Sequence, residues 1–149
     1  MKLERTKGPV GKRHAAMFAR DGVLVVDDLV DAGETTQLRE LLEPLLVGDI
    51  EAGNQRMDFG DFENDTPEVE RITQIMQIHD FVPEVLDGPY AAQALDAARA
   101  ILGDDMELDM TMLMDKLPHT ATATPWHQDE AYWLPGIPDR RALSVWLAL

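Results

Sequence analysis

No cysteine occurs in the 149 residues. That removes disulfides, thiolate nucleophiles and every metal site built on sulfur from cysteine. Basic residues are scarce: 13 Lys and Arg stand against 28 Asp and Glu, a formal net charge of −15. A surface of that sign repels phosphate backbones and anionic lipid heads, so neither nucleic acid nor a membrane is an expected partner. A locally basic pocket for an anionic small molecule remains compatible with it. Apolar runs are short, and none reaches the roughly 20 residues of a membrane span. The opening MKLERTKGPVGKRHAAMFARDG is basic but lacks the apolar stretch of a signal peptide, so the expected location is cytoplasmic. No glycine-rich phosphate loop follows the first predicted strand, and G-x-S-x-G and H-E-x-x-H are both missing. Acids abound, yet no spacing singles out the carboxylate pair of a glycosidase.

What is present suffices for one domain with its own core, since 45% of residues are hydrophobic. Residues 1–11, broken by Gly8, Pro9 and Gly11, read as a flexible arm. A short helix is predicted over KRHAAMFARDG and a strand at Val23–Val26. The next helix has the clearest start. Asp31 can cap free N–H groups, Glu34 sits three residues on, and Leu38, Leu41, Leu42, Leu45 and Leu46 repeat at helical spacing. Pro44 predicts a kink or an early end, and Gly48 a stop. DFGDFENDTPEVE, from Asp58 to Glu70, reads as a solvated acidic loop without the ligand spacing of a calcium site. RITQIMQIHDF fits strand or helix, and Ala91–Gly103 a second alanine-rich helix.

From Met106 to Lys116 apolar and polar residues alternate. The period predicts a strand with Met106, Leu108, Met110, Met112 and Met114 as soft core filler on one face. A last strand is predicted at RALSVWLAL, with Ala142, Ser144, Trp146 and Ala148 on one side and Leu143, Val145, Leu147 and Leu149 on the other. Helices first and strands later suggest helices laid on an antiparallel sheet.

Between those strands lies PWHQDEAYW. Residues two apart on a strand point the same way, with Cα atoms about 6–7 Å apart. On a strand, His127 and Asp129 could therefore converge on one ion, with Gln128 and Glu130 turned away and Trp126 flanking. Nitrogen with hard oxygen suits iron(II), manganese or nickel, and two histidines with one carboxylate leave positions open for substrate. The competing reading is a surface or hydrogen-bonded histidine. A second histidine is lacking after residue 129; His119 lies ahead of the pair, and His79 reads as packed and hydrogen-bonded.

MLMDKLPHTATATPWHQDEAYW followed by ALSVWLAL resembles the phytanoyl-CoA dioxygenase family, and FARDGVLVVDDLVDAGETTQLREL resembles its opening helix, strand and helix. The resemblance covers most of residues 14–149. It implies a non-heme oxygenase that uses Fe(II) and 2-oxoglutarate with dioxygen to hydroxylate a small organic or acyl substrate. The fold it implies is mainly β with packed N-terminal helices, a partial double-stranded β-helix (a jelly roll, cupin-like). His127 and Asp129 match metal ligands, Lys116 a lysine facing the 2-oxoglutarate pocket, and Trp146 a tryptophan lining that cavity; no catalytic residue is implied beyond the metal centre. The family's second histidine ligand and its 2-oxoglutarate arginine lie further downstream. Residues 12–149 are accordingly expected to be the N-terminal part of such a domain without its C-terminal half. Such a chain would be inactive alone and would self-associate through open sheet edges. The alternatives are a non-catalytic binding or scaffold fragment without a complete metal site, and a cupin-type metal protein.

Overall fold

The computed structural model describes residues 4–60, 70–119, 123–132, 136 and 138–149. The acidic stretch 61–69 and the middle of the loop before Trp126 lie outside the described residues. The elements in chain order are β1 (Arg5–Lys7), α1 (Arg13–Asp21), β2 (Val25–Asp27), α2 (Ala32–Val47), β3 (Arg56–Asp58), β4 (Ile72–Met76), α3 (Pro89–Leu102) and β5 (Met112–Lys116). Short 3₁₀ turns occupy Gly53–Gln55, Ile78–Asp80, Pro83–Leu86 and Asp129–Tyr132. Within the segment expected to be an arm, β1 pairs in parallel with β2, and the Arg5 guanidinium meets the Asp27 carboxylate across that pair. Buried His14 accepts from the Gly11 N–H at Nδ1 (2.9 Å) and lies 3.1 Å from Thr6 Oγ1 at Nε2, which holds the segment against α1.

α2 starts as its sequence dictates. Asp31 is extended, and its side chain accepts the Glu34 N–H at 2.8 Å. The Glu34 carboxylate does not return to Asp31 as a full capping box would have it. It accepts the Tyr90 N–H instead, capping the start of α3. Pro44 does not end α2. The helix runs three residues further and stops at Gly48, whose φ of 86° is the left-handed cap. Leu38, Leu42 and Leu45 are buried, so the leucine stripe is core.

That core lies between α2 and a three-stranded antiparallel sheet of order β3-β4-β5. Leu42 and Leu45 pack with Ile75, Ile78, Val82, Val85 and Leu113. The undecided stretch after Arg71 is thus the central strand, and Leu45 and Ile75 are both 0% exposed. Removing a side chain like either from water is worth roughly 1.5–3 kcal/mol. Arg56 ties the helix to the sheet. Its guanidinium donates to the Leu45 and Leu46 carbonyls at 2.7 and 3.0 Å, two of the acceptors a helix end leaves unpaired. The same group takes both oxygens of Glu70 at 2.8–3.1 Å, and Thr73 Oγ1 donates to that carboxylate at 2.6 Å. Arg56, and then Thr73, hold the Glu70 carboxyl below its ordinary value against the opposing effect of burial. Asp58 is also lowered: burial acts against it, but the backbone N–H groups of Ile72, Gly60 and Arg71 outweigh that cost.

The architecture corrects the mainly β jelly roll. Among the described residues, α-helices of 9, 16 and 14 residues stand against strands of 3, 3, 3, 5 and 5. The two sheets have two and three strands, and neither closes into a barrel or a β-helix. Two local causes are visible. The strand predicted over 106–116 is paired only at Met112–Lys116, because its partner β4 turns away at Gln77, a non-glycine residue at φ 51°. The Gln77 N–H to the Thr111 carbonyl, 2.7 Å, is the last bond of that ladder. The predicted last strand keeps its alternation, with Leu143, Val145 and Leu147 half-buried and Ala142, Ser144, Trp146 and Ala148 exposed, but it pairs with no described strand. It docks on α3 instead. Tyr90 Oη donates to the Val145 carbonyl at 2.9 Å, and Arg141 clamps Asp105, Asp139 and the Leu102 carbonyl.

The methionine face is also reversed. Leu113 is the residue of β5 that enters the core, while Met112 is 37% and Met110 44% exposed. Alternation defines two faces without naming the inner one, and here the shorter apolar set is the one that meets α2.

Arg56→Ala leaves two helix carbonyls and Glu70 without their cation, and a loss of roughly 2–3 kcal/mol is expected from urea unfolding at pH 7. Because Glu70 and Asp58 are depressed, their stabilisation is complete above the ordinary carboxylate range near pH 4 and fades as pH falls through their folded values. Glu70→Gln should therefore cost stability at pH 7, with the gap to the parent chain closing toward pH 2. Gly103 sits at φ 136°, and a Cβ there would lie 2.8 Å from Arg141 Nη1 and from Asp105 Oδ1. Gly103→Ala should strain this joint, read as faster amide exchange at residues 143–147 with the α2 core amides unchanged.

Candidate metal pair

The segment that carries His127 is irregular rather than a strand, and Asp129 opens the Asp129–Tyr132 3₁₀ turn. The two side chains converge all the same. His127 Nε2 lies 3.4 Å from Asp129 Oδ1. The tightness of the turn, closed by the Ala131 N–H on the Gln128 carbonyl at 3.0 Å, brings them together where a strand would have used its pleat.

The other ring nitrogen fixes the chemistry. His127 Nδ1 is 2.8 Å from the Pro125 carbonyl, which can only accept, so Nδ1 carries the proton. In the neutral ring Nε2 then holds the lone pair and faces a carboxylate. Both atoms are donors of the kind that bind a divalent ion. Bonds of about 2.0–2.2 Å from histidine nitrogen and carboxylate oxygen to one divalent ion span such a gap. A backbone carbonyl orienting the far nitrogen is the usual support of a metal-binding histidine. The pair therefore fits a divalent ion as two of its donors. A third is not at hand: among the described residues no group of three or more His, Asp or Glu side chains gathers on one point.

The surroundings are open. The pair is exposed, 41% for the His127 side chain and 66% for Asp129, and Trp126 is fully exposed. A shallow hollow is lined by Thr124, Pro125, Trp126 and His127. Ser144 Oγ donates to Asp129 Oδ2 at 3.4 Å, so the outer side of the terminal segment borders the pair. Trp146, on that same side, is 75% exposed. Glu130 turns to Arg140. Lys116 ends β5 opposite Ile72, is exposed, and makes no ion pair among the described residues. The structure thus brings His127, Asp129 and Ser144 together and links neither Lys116 nor Trp146 to them. Ser144 went unnoticed in the sequence, where nothing distinguishes it from any strand serine.

His79 and His14 are committed elsewhere. His79 Nδ1 bonds Thr111 Oγ1 at 2.7 Å, as a packed residue would, and His14 is buried at the arm. His119 adopts φ 63° in the loop after β5. No helix among the described residues is long and apolar enough to cross a membrane.

The phytanoyl-CoA dioxygenase (PhyH) family profile matches residues 18–149. An ectoine dioxygenase of Sphingopyxis alaskensis is 31% identical over 143 residues, 92% of this chain and 44% of that protein. Ectoine dioxygenases of Nocardia farcinica and Streptomyces coelicolor are each 25% identical over 144 residues, 95% of this chain and 46% of each relative. No solved structure matches. The chain spans less than half the length of these curated relatives. A profile match over nearly the whole chain, reaching across the stretch that holds His127 and Asp129, places it in the phytanoyl-CoA dioxygenase family.

Proposed function

We propose that these 149 residues form a non-catalytic fragment with an incomplete metal site, and that they supply two iron ligands to a longer Fe(II)- and 2-oxoglutarate-dependent oxygenase. The observation that carries this is the meeting of His127 Nε2 and Asp129 Oδ1 at 3.4 Å with no third donor among the described residues. Residues 12–149 would be the N-terminal part of the catalytic domain. The second histidine and the arginine for 2-oxoglutarate would come from outside these residues.

In that longer form His127 and Asp129 would hold the ion, with Pro125 setting the imidazole tautomer and Ser144 steadying the far carboxylate oxygen. Lys116 would meet a carboxylate of 2-oxoglutarate, and Trp146 would cover the cosubstrate once the segment around it is enclosed. Iron(II) with 2-oxoglutarate supplies the activation of dioxygen; the chain's part is to bind, orient and exclude water. The reaction would be hydroxylation of a small organic or acyl molecule, and the relatives make ectoine the first compound to try. The edge of β5 and the terminal segment, which pair with no further strand among the described residues, favour self-association of the chain alone.

The isolated chain should take up Mn(II) weakly under nitrogen, with NMR line broadening strongest at His127 and Asp129 and falling off with distance from them. Asp129→Ala should abolish the effect. The same chain with Fe(II), 2-oxoglutarate and ectoine should consume no 2-oxoglutarate and should sediment as more than a monomer. Turnover by a monodisperse monomer would overturn the reading, and so would broadening that ignores Asp129.

A further inference from the structure

The β3-β4-β5 sheet has two faces of opposite character. Thr73, Ile75 and Leu113 are buried on the side of α2. On the other side the register sets Met57 beside Gln74, Gln74 beside Met114, and Met76 beside Met112, while the pair that closes the row is uneven, Lys116 exposed and Ile72 buried at 2%. Met57 and Met112 are 39% and 37% exposed, while Met76 and Met114 are half-buried. The Gln74 amide is turned onto a sulfur, donating to Met76 Sδ at 3.1 Å. In a chain of formal net charge −15, no strand residue on this side carries a carboxylate.

A row of thioethers is apolar, polarizable and able to change shape, and it offers only weak acceptors. It can accommodate a hydrocarbon body of varied outline. It cannot repay the desolvation of a charged group laid against it. Lys116 shares the row, one pleat repeat of about 6–7 Å from Met114. If Lys116 meets the cosubstrate, the surface next to that cosubstrate is methionine. We propose that Met76, Met112 and Met114 are specificity-determining residues: they form the wall against which an uncharged, apolar part of the substrate lies, and they favour it over a zwitterion such as ectoine. The charge of the strand residues argues for this occupant, since among those described on this side none offers an anion for a cationic group and the one cation, Lys116, stands at the cosubstrate end. The proposal rests on the reading of Lys116 given above.

The test uses the 149-residue chain with ¹³C-labelled methionine methyls, assigned by single Met→Leu variants, and three probes: 1-hexanol, ectoine and 2-oxoglutarate. Hexanol should shift the methyls of Met76, Met112 and Met114 saturably and leave Met17, on α1, in place. Ectoine at equal concentration should shift none of the three. Met112→Gln combined with Met114→Gln should weaken the hexanol response at Met76 at least tenfold. Equal shifts at Met17, equal responses to ectoine, or no response to hexanol would each overturn the proposal. So would a row shielded from a soluble paramagnetic agent before any probe is added, which would mean a second copy already covers it. The 2-oxoglutarate arm, run with Mn(II) on chain that also carries ¹³C-labelled lysine, separates the two readings. The Lys116 Cε signal should respond to 2-oxoglutarate more than the Lys7 and Lys12 signals do. Hexanol shifts with equal responses at the three lysines would overturn the role of Lys116 in this chain while supporting the apolar selectivity of the row.

Discussion

The Arg56 guanidinium is the joint on which the rest of the chain is assembled. One planar group takes the last carbonyls of α2 and the carboxylate of Glu70, fixing the helix end, the start of β3 and the approach to β4 in one place. With α2 held there, Leu42 and Leu45 meet Ile75 and Leu113, and that contact decides which face of the sheet is inner. The opposite face, with its methionines and Lys116, is outer as a consequence. An arginine suits this role because its fork satisfies several acceptors while staying charged, and a lysine would satisfy fewer.

The match to the phytanoyl-CoA dioxygenase family and the meeting of His127 with Asp129 are separate observations. The match runs over almost the whole chain but less than half of each relative. The pair at 127 and 129 supplies two donors and lies open to solvent. Two potential donors on an exposed turn have little around them to exclude water or to set the geometry of an ion.

What the sequence made legible was local. The Asp31 cap, the leucine stripe of α2 and the Gly48 stop follow from residues within a turn or two of each other, and all three are present. The pairing of strands depends on partners far along the chain, which is why a period-2 pattern from Met106 onward matured into only five paired residues. The jelly roll expected from the family resemblance failed for that reason: alternation records that a segment has two sides, not that a neighbour exists to bond it. The convergence of His127 and Asp129 was legible in their spacing, while the 3₁₀ turn that produces it was not. Spacing of two is short enough for either backbone to bring the side chains together. Arg56 was invisible because its acceptors are helix carbonyls, which every sequence has.

Glu34 gives one side chain an unusual reach. Its N–H is held by Asp31, its carboxylate holds Tyr90, and Tyr90 holds the Val145 carbonyl, a segment whose Ser144 touches Asp129. Four polar contacts thus run from the opening turn of α2 to the His127–Asp129 pair without passing through the apolar interior. An outer helix cap and the carboxylate of Asp129 belong to one run of polar contacts, although the two never meet.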